Sequence, residues 1–118
     1  MESAWRLSVH MDESDRWGRR ALHTELMERA LEFGIPSAGA IRGIEGYGKS
    51  GILHTNRILS MSDSLPVMVT LVDEDEGRLR AFVASQAPLL RGKLTLLDCV
   101  QSVVSAAALS VTRGRRGA

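Results

Sequence analysis

Residues 66–72, PVMVTLV, constrain the fold more than any other part of the chain. They are β-branched and apolar, with no breaker after the proline, which is the composition of a buried strand. Such a strand needs neighbours, and the chain offers them in a definite order. Residues 4–10, AWRLSVH, alternate, with Trp5, Leu7 and Val9 on one side, as in a half-buried strand. Residues 19–33 carry Leu22, Leu26, Ala30 and Phe33 at helical spacing, and Gly34 and Pro36 provide a stop. SAGAIRGI, residues 37–44, is a weaker strand because its glycines lower β propensity. After PVMVTLV, the stretch DEDEGRLRAFVASQ puts Leu79, Phe82, Val83 and Gln86 on one helical face, and Pro88 is expected to end that helix. KLTLLD is a last short strand; the apolar spacing between Val100 and Thr112 suits either a helix or a strand.

The order strand, helix, strand, strand, helix, strand is the split βαβ pattern of an α+β, ferredoxin-like βαββαβ sandwich. It predicts a four-stranded antiparallel sheet with both helices on one face. The opposite face is left without cover, and burying it against copies of the same chain predicts a homo-oligomer. At 118 residues the chain supports one domain, placed at 1–102, followed by a C-terminal extension, 103–118, with a basic tail of Arg113, Arg115 and Arg116.

A formal net charge of +1 gives no field that would draw nucleic acid or an anionic membrane. The single cysteine, Cys99, cannot form an internal disulfide, which suits a reducing cytoplasm; after LTLL it is read as a buried, inert thiol. No secretory signal and no apolar stretch of membrane-spanning length is visible. A cytoplasmic protein without direct membrane insertion is expected.

The remaining feature is GAIRGIEGYGKSGILH, residues 39–54. GIEGYGKS, residues 43–50, spells a P-loop, in which Lys49 would neutralise a terminal phosphate and Ser50 would bind magnesium. A P-loop joins a strand directly to a long helix, whereas the residues between Lys49 and Pro66 are rich in Asn, Ser and Asp. GYGKSG, residues 46–51, also spells GxGxxG, with Asp73 near the position of a ribose-binding acid, but it follows the second strand rather than the first. The acidic run Asp73, Glu74, Asp75, Glu76 is read as a solvated helix start.

With its flanks, the loop resembles a known family. RGIEGYG, ILHTNRIL and LSMSDSLPVMVTLVD, together with the N-terminal DESD and WGRRALHTELMERALEFGI, are similar to domain of unknown function 190, a bacterial family related to the PII signalling proteins. The resemblance covers roughly residues 5–98. It implies a ferredoxin-like subunit, a homo-trimer, and a flexible T-loop between the second and third strands. It also implies adenine nucleotide as ligand, held in clefts between subunits. One wall of that cleft is the PII motif Gly-Phe-Gly-Arg-Gln, matched here by Gly46, Tyr47, Gly48, Lys49 and Ser50. Tyr47 stands where the motif has phenylalanine, so it is not the tyrosine modified in some PII T-loops. The second PII phosphate loop, Thr-Gly-x-x-Gly-Asp-Gly-Lys, is reduced here to LLRGK, of which Gly92 and Lys93 match the end.

The expected function is that of a PII-like regulatory protein rather than an enzyme. Arg42, Gly46, Gly48, Lys49, Ser50 and Lys93 are the candidate ligand-binding residues, and Tyr47, Gly51, His54 and Arg57 the candidate partner-facing residues of the loop. A membrane transporter is the partner implied by analogy with PII. Arg42 and Glu45 either flank the cleft or pair with each other or a neighbouring subunit. The three histidines form no metal-spaced cluster. Trp5 is assigned to the sheet and Trp17 to the loop before the first helix. Two alternatives stand: a ligandless oligomeric interaction module, and a small P-loop nucleotide hydrolase using Lys49, Ser50 and Asp73.

Overall fold

The computed structural model of the protein describes residues 2–48, 51–55 and 65–103. Four long strands form the sheet: β1 (Glu2–Asp12), β4 (Ser37–Arg42), β7 (Pro66–Asp73) and β8 (Leu94–Ser102). Their order is β4-β7-β1-β8, and every neighbouring pair is antiparallel. Two helices, α1 (Leu22–Phe33) and α2 (Glu76–Ser85), carry the split crossovers, and a one-turn helix α3 (Ala87–Leu90) follows. Two short ribbons complete the fold. One pairs β2 (Arg16–Trp17) with β3 (Arg20–Ala21); the other pairs β5 (Glu45–Gly46) with β6 (His54–Thr55). This is the expected α+β ferredoxin-like arrangement.

The alternation read in AWRLSVH holds: Leu7, Val9 and Met11 are buried against Val67, Val69 and Leu71 of β7, and Trp5 packs at the edge of the same core. From the helices come Leu22, Leu26, Ala30, Leu79 and Phe82. Phe33 meets Phe82 edge to face, with ring centroids 5.3 Å apart. Gly34 ends α1 in the left-handed conformation, at φ 97°, its amide donating to the Leu31 carbonyl while Ile35 N–H returns to Ala30. Pro88 lies in the first turn of α3, where a missing N–H costs nothing. Trp17 is held by Arg29, whose guanidinium sits 5.4 Å above its ring.

Three expectations need correction. The last strand is not short: pairing with β1 carries β8 on to Ser102, opposite Glu2. Cys99 is exposed, because β8 is an edge strand hydrogen-bonded on one side only. The acidic run is not uniformly solvated. Asp75 caps α2, accepting Arg78 N–H at 3.0 Å, but Asp73 is buried and bonded to Arg78.

Directly paired residues share a face, so the register defines the side of the sheet away from the helices. Ile41, Met68, His10 and Leu94 form one row across all four strands; Gly39, Thr70, Ser8 and Leu96 form the next. Ile41, Leu94 and Leu96 are exposed there. The C-terminal residues 104–118 and the HTNRILSM stretch beyond Thr55 lie outside the described residues.

Candidate functional site

One end of the sheet brings Arg42 and Lys93, two of the candidate ligand-binding residues, to the same acidic turn. β1 finishes at Asp12, paired with Pro66 at the start of β7, and β4 finishes at Arg42, paired with Val67. Two backbone bonds close this end: Gly43 N–H to the Pro66 carbonyl at 2.7 Å, and Glu13 N–H to the Leu65 carbonyl at 2.9 Å. Lys93 arrives from the far edge. Arg91, at φ −58° and ψ 125°, and Gly92, at φ 76°, make a type II turn in which Lys93 N–H donates to the Leu90 carbonyl at 2.9 Å.

Arg42 and Lys93 converge on a single acidic turn. Arg42 Nε forms an ion pair with Glu13 Oε2 at 3.0 Å, and Lys93 Nζ donates to Asp15 Oδ2 at 2.7 Å. Asp15 Oδ2 also accepts Asp12 N–H at 2.9 Å. Arg42 does not pair with Glu45 within the subunit: its carboxylate there is Glu13. Glu13 and Asp15 are the residues that sequence reasoning missed. DESD was visible as an acidic loop, but nothing local indicated which cations would reach it.

The glycines serve packing first. A Cβ built on Gly43 would stand 2.8 Å from Pro66 Cγ, and one on Gly46 would stand 3.1 Å from the same atom. Both glycines therefore let the loop wrap closely over Pro66. Gly48 faces open space, and Gly51, at φ 70°, donates its N–H to the Gly48 carbonyl at 3.0 Å. Beyond this turn the chain runs extended into β6, where His54 and Thr55 pair back onto Gly46 and Glu45. A strand therefore stands where a P-loop requires a helix N-terminus, and the hydrolase alternative loses its structural basis. Asp73, the acid that alternative would use, is already occupied by Arg78. Lys49, Ser50 and Arg57 lie outside the described residues, as does the side chain of His54. Tyr47 is exposed, as are Ile44, Ile52 and Leu53.

Chemically, the sheet end offers an ammonium and a guanidinium, both engaged by carboxylates. Among the described residues no group of three or more His, Cys, Asp or Glu side chains is placed to hold a metal ion. No described helix is long and apolar enough to cross a membrane.

Residues 4–102 match the family DUF190, described as Uncharacterized ACR. The chain belongs to this family. The chain is also similar to the UPF0166 protein of Aquifex aeolicus (strain VF5), 30% identical over 92 residues, 78% of this chain and 87% of that one. Two solved structures resemble the DUF190 subunit. CPII, a nitrogen regulatory PII-like protein from Thiomonas intermedia K12, bound to ADP, AMP and bicarbonate, aligns with a TM-score of 0.59 at 11% identity, covering 85% of this chain and 88% of that one. The same protein bound to ADP, AMP and acetate aligns with a TM-score of 0.61 at 11% identity, covering 92% and 94%. At that identity the likeness is one of fold: the DUF190 chain has the PII-like, ferredoxin-like architecture.

Proposed function

We propose that this DUF190 protein is a PII-like regulatory protein that works in the cytoplasm by binding rather than by catalysis. Three subunits associate through the open faces of their sheets. A small anionic ligand, of which adenine nucleotide is the first candidate, binds between subunits against Arg42, Gly46, Gly48, Lys49, Ser50 and Lys93. The β5–β6 ribbon and its tip, including Tyr47, Gly51, His54 and Arg57, report occupancy to a partner protein, with a membrane transporter as the candidate by analogy. The observation that carries this function is the pairing of Glu45–Gly46 with His54–Thr55, a ribbon between the antiparallel strands β4 and β7, beside a sheet end that gathers two cations. Exposed Ile41, Leu94 and Leu96 support the association, since an apolar sheet face is stable once covered. Ligand-dependent ordering of such a loop is a known route from occupancy to signal.

The direct test is sedimentation of the purified protein combined with titration calorimetry against ATP, ADP and AMP. A trimer that binds at least one of them at submillimolar concentration is the expected result; a monomer, or a trimer inert to all three, removes the sensing function. A ligandless interaction module is the second possibility. It is favoured by one observation: carboxylates already hold Arg42 and Lys93, and Pro66 already accounts for two of the loop glycines.

A further inference from the structure

The β2–β3 ribbon contributes no residue to the site described above. Its strands pair Trp17 with Arg20 and Arg16 with Ala21 across a two-residue turn that starts with Gly18 at φ 62°. Directly paired residues share a face, and the contacts show which face meets α1. Arg20 bonds Glu25 and Glu28, and the Arg29 guanidinium sits 5.4 Å from the Trp17 ring. The ribbon therefore folds back along α1, and Arg16 belongs to its opposite face.

An aromatic strip continues from Trp17 along the helices. Arg29 donates to Gln86 at 2.9 Å and to Glu25 at 2.8 Å, and Phe33 meets Phe82, so α1 and α2 are joined at two levels. Trp17 and Phe33 remain 38% and 40% exposed. Arg29 touches the first and lies one helical turn from the second. A part-exposed tryptophan, backed by an arginine that is itself fixed, has the composition and the rigidity of an interface anchor.

Charge selects the occupant. Arg20 and Arg29 are both neutralised by Glu25. Arg16 and Arg19 are exposed, and among the described residues neither has a carboxylate partner. Free guanidiniums beside an apolar anchor suit carboxylates, which match their planar fork. A long polyanion suits the strip less well, because exposed Glu32 adjoins Phe33 on α1 and would repel a phosphate backbone laid along it.

We propose that the β2–β3 ribbon and the adjoining helix seam dock an acidic segment of a second protein, with carboxylates on Arg16 and Arg19 and an apolar side chain against Trp17 and Phe33. The surface uses none of the residues assigned to the ligand or to the β5–β6 ribbon, so it stands or falls apart from the sensing function. The two guanidiniums steer the approach, and the aromatic anchor sets the residence time.

The test is selection of displayed random peptides against the immobilised full chain, followed by binding measurements on the enriched peptides made synthetically. They should carry Asp or Glu beside Leu, Phe or Trp. Their affinity should fall by about tenfold with Trp17→Ala and by less with Trp17→Phe. Arg16→Ala/Arg19→Ala should slow association by about tenfold and flatten its salt dependence, whereas Arg80→Ala should change neither. None of these side chains belongs to the subunit core, and far-UV circular dichroism should be the same in every variant. A selection that enriches no peptide, or only peptides indifferent to Trp17→Ala and Arg16→Ala/Arg19→Ala, overturns the proposal. So does tighter binding of a single-stranded thymidine oligonucleotide at the same arginines, which would make this a polyanion site. Loss of the oligomer in sedimentation of Trp17→Ala overturns it too, by assigning the strip to a contact between copies of the chain.

Discussion

Arg78 closes on Asp73 with two hydrogen bonds, Nε to Oδ2 at 2.6 Å and a terminal nitrogen to Oδ1 at 3.0 Å, around a residue that is 1% exposed. Asp75 N–H adds a third bond to Oδ1 at 2.9 Å. Asp73 is the last residue of β7 and Arg78 lies in the first turns of α2, so the pair fixes the corner between them. The bond to Asp73 raises the Arg78 pKa against the opposing effect of burial. Arg78→Ala should leave a buried carboxylate without its countercharge, at a cost of about 3–5 kcal/mol. Arg80→Ala, which loses only an exposed pair with Glu76, should cost less than about 1 kcal/mol. Urea denaturation of the two variants decides; equal losses would mean that Asp75 N–H alone satisfies the carboxylate.

Gly43 and Pro66 make the second prediction. A methyl on Gly43 meets Pro66 Cγ at 2.8 Å, while one on Gly48 meets nothing within 4 Å. Gly43→Ala should destabilise by about 1–3 kcal/mol, and Gly48→Ala by markedly less. Adding Pro66→Ala should recover most of the Gly43→Ala loss, because the clash is with the proline ring itself. Thermal melts of the single and double variants give the coupling. Additive losses would place the strain elsewhere.

These two pairs show where the sequence was informative. The strand alternation and the Gly34 stop are local properties, and each was legible from a few neighbouring residues. The length of β8 was not, because its last residues are held by the far end of β1, across the sheet. The same holds for the site. Arg42 and Lys93 were legible as cations near a glycine-rich loop, but their partners Glu13 and Asp15 reach them only after β4, β7, β1 and β8 have assembled. The glycines of GIEGYGKS spelled a phosphate motif because glycine permits any close backbone approach. What approaches Gly43 and Gly46 is a proline from the next strand. Asp73 was taken for a solvated helix start; the charge pattern carried no sign that Arg78 would turn back over it.

Arg20 bridges Glu25 at 2.9 Å and Glu28 at 2.6 Å, stapling the β2–β3 ribbon to α1. Its hydrogen bond holds the Glu28 pKa below the ordinary glutamate value of 4.5. A depressed carboxylate pKa gives stability that is present above the unfolded value and is lost as pH falls through the folded one. The contribution should therefore be full at neutral pH and be lost progressively as pH falls below the unfolded value of 4.5. Glu28→Gln should flatten that part of the stability–pH curve, with little effect below it. An unchanged acid limb would show that the pair contributes nothing in solution.

Leu94 and Leu96 stand on the open sheet face, next to His10 and Ser8 of the central strand. If copies of the chain cover that face, a charge there is buried without a partner on association. Leu94→Glu and Leu96→Glu should each shift the protein to a lower oligomeric state in sedimentation velocity. Far-UV circular dichroism should stay unchanged, because neither side chain belongs to the core of the subunit. Oligomers that persist in both variants would place the subunit contact on another surface.

The ribbon beyond Gly43 exposes Ile44 (75%), Tyr47 (74%), Ile52 (61%) and Leu53 (53%), a density of apolar surface that marks contact sites on folded proteins. None of the four belongs to the hydrophobic core. Tyr47→Ala/Leu53→Ala should therefore change the unfolding free energy by no more than about 0.5 kcal/mol for each residue. The decisive measurement is photo-crosslinking in cells from a benzoylphenylalanine placed at position 47. An adduct with a second kind of protein is expected, reduced when Leu53→Ala is added. An adduct confined to copies of this chain would assign the ribbon to the oligomer itself, and the signal to the partner would have to leave from another surface.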